Sequence, residues 1–265
     1  MLKGLYTAYT GMINEQNRMD VLTNNLANAD TIGFKKEGAT SQSFDAVLVD
    51  KIKDDSEYVR LARRIGRANP GVKIGEGYTD YSQGSFMVTD SALDFALGGK
   101  GFFTVEFANR SGDTTTMYTR DGNLSVTTDG DLVTTDGDYV LGVSDRGEPI
   151  HIKLDPNADI LVDEMGNIYQ HDRKVAQLKL TDFADYNYLE HYGESYYVPV
   201  EGAEPIDPVD CKVSQGYLET SNVSIVSEMV EMISVQRQYE SNQKVIQTLD
   251  SSLQIAVNDL GKVRG

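Results

Sequence analysis

Residues 225–260 read IVSEMVEMISVQRQYESNQKVIQTLDSSLQIAVNDL. At alternating steps of four and three, Ile225, Met229, Met232, Gln236, Tyr239, Gln243, Ile246, Asp250, Leu253, Val257 and Leu260 fall in one register, and eight of these eleven positions are apolar. Such an alternation lines side chains along one stripe of an α-helix, the geometry by which helices pair along their length. A helix from Val223 to Leu260 would be about 57 Å long at 1.5 Å per residue, more than a compact domain usually needs. Asn222 or Ser224 is placed to cap it. Glu228 and Glu231 near its start, with Lys262 and Arg264 near its end, suit the helix dipole.

The other end of the chain repeats the pattern. Leu5, Tyr9, Met12, Gln16, Met19, Thr23 and Leu26 share the spacing, predicting a helix from Leu2 to Ala27. The turn formers Asn28-Ala29-Asp30-Thr31-Ile32-Gly33 stop it. Gln236, Gln243 and Asp250 recur seven residues apart, as do Gln16 and Thr23. A polar residue in a helix seam costs stability and specifies register or partner number. The two stripes predict helices that clasp, within one subunit or between many. Two ordinary amphipathic helices on a small core are the plainer alternative.

Between the arms the pattern is β. Phe103, Val105 and Phe107 alternate, and Asp121-Gly122, Asp129-Gly130 and Asp136-Gly137 are hairpin signals at close spacing. A meander of short antiparallel strands is expected from Phe86 to about Val200, with Cys211–Tyr217 as an extended return to the C-terminal helix. Residues 35–84 are mixed. Phe44, Val47, Leu48 and Ile52 suggest a short helix, whereas Asp54-Asp55-Ser56 and Asn69-Pro70-Gly71 suggest loops. Arg60, Arg63, Arg64 and Arg67 form the one concentrated basic stretch, read as a helical face beside an acidic neighbour or as a site for a phosphate or acidic surface.

At 265 residues the chain can hold two domains or more. Its single cysteine, Cys211, excludes an internal disulfide, which fits a reducing compartment or export in the unfolded state. The net charge of −17 argues against nucleic acid and anionic membranes as partners. Residues 1–34 and 222–265 each sum to −1, leaving −15 in the middle. Near-neutral arms can lie beside copies of themselves; the acidic middle favours water. Polar residues from Asn14 to Asp20 interrupt any signal-peptide core, and no apolar run reaches membrane-span length. These signals alone read as cytoplasmic.

The residues that carry chemistry form no usable set. His151, His171 and His191 are too widely spaced for one metal-binding element. No G-x-S-x-G elbow accompanies a serine, and the Asp-Gly-Asp pieces lack the order of a calcium loop. Gly98-Gly99-Lys100-Gly101 reads as a tight turn rather than a phosphate loop, because an aromatic strand follows it. No catalytic residue, metal or cofactor is expected.

Three segments resemble the axial proteins of the bacterial flagellum, specifically the basal-body rod family. The first runs from Gly4-Leu5-Tyr6 through Gly11-Met12 and Asp20-Val21 to Asn24-Asn25-Leu26-Ala27-Asn28, with Thr31, Gly33, Phe34 and Lys35. The second is Leu93-Asp94-Phe95-Ala96-Leu97, Gly101-Phe102-Phe103, Tyr118-Thr119-Arg120-Asp121-Gly122 and Val140-Leu141-Gly142. The third is Gly216 through Val223, followed by Glu228-Met229, Met232-Ile233, Gln236-Arg237 and Tyr239-Glu240. These bracket the chain, while residues 145–205 match only loosely. Gly75-x-Gly77, Ser82-Gln83-Gly84 and Leu218–Val223 are most similar to the distal-rod branch; Ser91-Ala92, where relatives are often more basic, leaves the proximal-rod branch open.

The resemblance implies an α+β protein. Long N- and C-terminal helices would pair in coiled-coil fashion, and a central, mainly antiparallel β domain would project from one end. Residues 1–34 with 222–265 would form a helical assembly domain, 35–84 with 206–221 a connector, and 85–205 an outer β-rich domain. The implied role is a structural, self-assembling rod subunit of the flagellar drive shaft, which transmits torque to the hook. It implies location in the basal body of the cell envelope and passage through the flagellar type III export apparatus without a cleaved signal. The implied partners are copies of itself, other rod and hook proteins, and the export apparatus. The expected subunit-interface residues are Leu5, Tyr9, Met12, Met19, Asn24, Asn25, Leu26, Asn28 and Phe34 at one end. At the other they are Ile225, Met229, Met232, Gln236, Tyr239, Gln243, Ile246, Leu253 and Leu260. The isolated subunit is expected to be monomeric, its arms ordering on assembly. The runner-up is an exported adhesive or enzymatic β domain anchored by its helices.

Overall fold

A computed structural model of the chain describes residues 2–51, 63–108, 114–144, 147–156, 158–193, 195–206 and 211–262. It has an N-terminal helix, a C-terminal helix and a central, antiparallel, β-rich region. Helix α1 spans Leu2–Ala27 and helix α2 spans Ile225–Lys262. The chain divides into two compact units. One comprises the described parts of Met1–Leu26, Glu37–Tyr78 and Ile225–Gly265; the other comprises those of Ala27–Lys36 and Thr79–Ser224.

In the first unit α1 is flanked by a two-stranded ribbon, Glu37–Ser43 against Val72–Thr79. The strands Val47–Lys51 and Arg63–Ala68 pair antiparallel, Val47 opposite Ala68 and Lys51 opposite Arg63. This corrects the expected helix around Val47 and Leu48, where β-branched residues favour a ladder. It also places Arg63, Arg64 and Arg67 on a strand rather than a helical face. Ile52, Asp54, Asp55, Ser56 and Arg60 lie outside the described residues.

The second unit is built on a sheet whose strands run antiparallel. Their order is Leu161–Val162, Asn167–Gln170, Arg173–Leu178, Tyr139–Val143, Phe102–Ala108, Thr114–Thr119, Tyr196–Pro199 and Leu189–Tyr192. Leu97, Phe103, Val105 and Ile168 are fully enclosed in its core, joined by Phe95, Leu132, Val140 and Ile152. A second aromatic cluster gathers Phe102, Phe183 and Tyr197, with Tyr81 and Tyr186 packed beside it. The return strand Cys211–Gln215 pairs with Phe95–Gly99, and Tyr217–Glu219 pairs with Phe86–Val88.

Two of the Asp-Gly signals make turns: Gly130 and Gly137 have φ of 87° and 95° and close hairpins. Asp121-Gly122 does not. The strand before it pairs with Phe102–Ala108 and Tyr196–Pro199, and the strand after it pairs with Leu132–Thr134. Glycine is required there because a Cβ at position 122 would collide with the Phe95 carbonyl.

Candidate functional site

The seam between α1 and α2 is the first candidate. From Ile225 to Asn258, the α2 side chains shielded from solvent are Glu228, Met232, Val235, Tyr239, Asn242, Ile246, Leu249, Leu253 and Ala256. They alternate at four and three, and every other α2 side chain in that range is exposed. On α1 the matching register is Gly4, Ala8, Gly11, Glu15, Arg18, Leu22 and Asn25. A Cβ at Gly4 would lie 3.6 Å from Leu249, and one at Gly11 would lie 2.9 Å from the Asn242 amide. With its amide turned to donate, Gln238 reaches the Glu15 carboxylate at 3.1 and 3.2 Å. Arg18 bridges Glu15 at 3.2 Å and Glu231 at 3.1 Å. Asn25 Nδ2 donates to Glu228 Oε2 at 3.2 Å. These contacts run in opposite order along the two helices.

Asn25 links this seam to the neighbouring ribbon. It is fully buried, donates to the Glu37 carbonyl at 2.7 Å and accepts from the Glu37 N–H at 2.9 Å. Its amide thereby pairs with a strand backbone as a neighbouring strand would, so one side chain ties the end of α1 to the ribbon and to the start of α2. Farther along α1, Asn14 donates to Ser41 Oγ at 2.9 Å and Thr7 to the Pro70 carbonyl at 3.0 Å.

The residues expected at an interface divide around this seam. Met232, Tyr239, Ile246 and Leu253 line it, half-buried. Ile225, Met229, Gln236 and Gln243 are exposed on its flank, as is Asp250, so the polar heptad positions face solvent rather than the partner helix. On α1, Leu5, Met12, Met19 and Leu26 are half-buried, while Tyr9 and Asn24 are exposed. The side chain of Leu260 lies outside the described residues. Asn28 is half-buried and its Oδ1 accepts from Thr31 Oγ1 at 3.2 Å. Phe34 is buried in the second unit with its ring edge-on to His191.

Within the second unit lies a buried ionic cluster that sequence reasoning missed. Lys35 Nζ donates to Glu219 Oε1 at 2.5 Å and to the Ser82 carbonyl at 2.9 Å. Arg120 donates to Glu219 Oε2 at 3.1 Å and to the Gly99 carbonyl at 2.7 Å, its guanidinium 5.4 Å from the Phe102 ring centre. The Gly84 N–H also donates to Glu219. All three side chains are at most 4% exposed. Burial lowers the Lys35 pKa, and the Glu219 carboxylate opposes that shift. The signal available in the sequence was a lysine, an arginine and a glutamate inside the three family motifs. Gly33 completes the junction: its φ is +71°, and a Cβ there would come within 2.7 Å of the Arg120–Asp121 backbone.

Nothing in these arrangements activates a nucleophile. His151 bonds to Glu106 at 2.6 Å and stacks on Tyr139, while His191 packs against Phe34 and Tyr197. Among the described residues, no set of three His, Cys, Asp or Glu could hold a metal ion, and no helix is long and apolar enough to cross a membrane.

Residues 5–35 match the family described as flagella basal body rod protein, residues 96–170 the flagellar hook protein FlgE/F/G D1 domain, and residues 214–260 the flagellar basal body rod FlgEFG protein C-terminal family. The flagellar basal-body rod protein FlgG of Caulobacter vibrioides is 33% identical over 264 residues, covering 96% of this chain and 97% of the relative. FlgG of Bacillus subtilis is 33% identical over 274 residues, covering 97% and 99%. The flagellar basal-body rod protein FlgF of Rhizobium meliloti is 31% identical over 266 residues, covering all of both. With a clamped helix seam at its ends, a β-rich middle and relatives matched along their whole length, the chain belongs to the flagellar basal-body rod proteins, non-enzymatic structural components of the basal body.

Proposed function

We propose that this chain is a distal-type rod subunit that self-assembles through its terminal helices into the axial shaft carrying torque to the hook. The carrying observation is the incomplete burial of α2: among its described side chains only Glu228 and Val235 are buried, while Val226, Met229, Val230 and Ile233 remain exposed. A helix apolar beyond a single stripe belongs inside a larger assembly. The α1–α2 seam acts as a coiled-coil-like clasp. Residues 1–34 with 222–265 serve assembly, 35–84 with 206–221 connect, and 85–205 form the outer part. The partners are copies of the chain, neighbouring rod and hook proteins, and the flagellar export apparatus during delivery. The FlgG names among the relatives support the distal reading, and the FlgF name goes with the proximal branch as the second reading.

Electron microscopy of the purified protein at rising concentration tests this reading. Rod-like polymers are expected. Met229→Asp should abolish them while leaving the β-rich unit folded, because a charge would enter a surface that assembly dehydrates. Polymers that form equally well with Met229→Asp would remove α2 from the assembly surface.

A further inference from the structure

The first unit leaves two apolar stripes uncovered, one on each helix. On α1, Tyr6, Tyr9 and Ile13 are 62%, 54% and 40% exposed. On α2, Val226, Val230 and Ile233 are 73%, 64% and 50% exposed. At 3.6 residues per turn, each stripe lies on the face turned away from the α1–α2 seam. A shallow groove of about 490 Å³ runs beside the α2 stripe, lined by Val230, Ile233, Ser234, Arg237, Gln238 and Ser241. The helix pair is therefore a slab with an aromatic edge on one side and an aliphatic, Arg-containing edge on the other.

We infer that the α1 edge of one copy docks on the α2 edge of the next, displaced along the helix axis by about ten residues, or roughly 15 Å. The inference rests on the self-assembly proposed above and supplies its contact geometry.

The displacement follows from what each register brings together. Within one chain, Gly4 lies by Leu249, Gly11 by Asn242 and Asn25 by Glu228. A second copy added level with the first would keep that alignment. Tyr9 would then face Lys244, Ile13 would face Glu240, and Ile233 would face Asp20. The last two bury aliphatic surface against a carboxylate, which is costly. Sliding the copy by ten residues exchanges both mismatches. Ile13 comes level with Val230 and Tyr9 with Ile233–Ser234. Tyr6 meets Arg237, a pairing of aromatic face and guanidinium. The charges also match: Lys3 comes level with Glu240, and Asp20 with the positive N-terminal end of α2. The edges differ, so each copy offers one of each, and the shift prevents a ring from closing. A heterologous contact of this kind grows into an open helical array.

Mixed-cysteine cross-linking of the full chain tests the register. In a Cys211→Ser background, protein carrying Tyr9→Cys is mixed with protein carrying Ile233→Cys or, separately, Val245→Cys, and treated with a short bismaleimide at concentrations where sedimentation shows assembly. Separate chains ensure that every product is intermolecular. The Tyr9–Ile233 product should exceed the Tyr9–Val245 product by at least about tenfold, the ratio set by a 1.4 kcal/mol preference between registers. A dominant Tyr9–Val245 product overturns the displacement. Assembly with neither product overturns the edge-to-edge contact but leaves the rod reading standing. Absence of both assembly and cross-links overturns the two together.

Discussion

The two units of this chain are stabilised in opposite ways. The β-rich unit encloses a dry core in which Leu97, Phe103, Val105 and Ile168 lose all contact with solvent. Among the described residues the helical unit has no comparable interior: α2 buries one apolar side chain, Val235, and one acid, Glu228. Its partner stripe on α1 consists largely of small or polar residues that meet through amides and ion pairs. The β-rich unit closes an apolar core within one copy, whereas the helical unit holds its register by polar clamps and leaves Tyr6, Tyr9, Val226 and Val230 exposed. On the assembly proposed above, the difference separates residues that fold the subunit from residues that join it to others.

The strongest challenge to that contrast is Glu219→Ala. It leaves Lys35 and Arg120 as uncompensated charges in the dry unit and should cost about 3–5 kcal/mol. Urea unfolding followed by tyrosine fluorescence measures it, and a loss below about 1 kcal/mol would mean that the cluster is not enclosed as described.

The next effect is pH-dependent. Burial pushes the Asp121 carboxyl up from the usual 3.8 to about 6, aided by the negative charges of Asp136 and Asp94 and opposed by the Asn123 N–H. A raised folded-state pKa means the folded chain holds the proton more tightly. Its contribution is full below about pH 4 and lost as pH rises through about 6. Relative to Asp121→Asn, the wild type should lose on the order of 2–3 kcal/mol between those limits. Parallel unfolding curves at pH 4 and pH 7 read the difference, and identical pH profiles would place the carboxyl in water.

Asn25→Ala probes the other unit. It strands the Glu37 N–H and carbonyl and should cost about 2 kcal/mol. Amide exchange in α1 and at Glu37 should quicken while the core of the β-rich unit stays protected; equal loosening of both units would deny their independence. The smallest effect is expected from Gln243→Ala. This side chain is exposed, so the stability of the monomer should change by less than about 0.5 kcal/mol. A larger change would return position 243 to the intramolecular seam.

Position 243 also shows what the sequence could convey. The 4-3 spacing located both helices, and α1 ends at Ala27 as its turn formers require. The phase of the seam was less legible. Hydrophobicity selects Leu5, Tyr9, Met12 and Met19, yet contact with α2 falls one residue earlier, on Gly4, Ala8, Gly11, Glu15 and Arg18. Glycines that admit a neighbour and acids that bind amides carry no apolar signal. The strand at Val47–Lys51 was misread because four apolar residues at helix-like intervals outweighed β-branching over so short a run. Asp121-Gly122 looked like a hairpin because the same dipeptide meets two demands, a turn or a close backbone approach, and only packing tells them apart.

Glu219 sits 184 residues after Lys35 and 99 after Arg120, and Glu228 sits 203 after Asn25. A chain made from its N-terminus therefore holds two cations and an asparagine whose acidic partners do not yet exist. Loop closure over such separations is slow, and before it occurs the ordered contacts have little to reward them. Neither unit can finish until the final stretch of the polypeptide arrives. The positions of Glu219 and Glu228 thus act as a clock, deferring the closure of both units until most of the chain has been made.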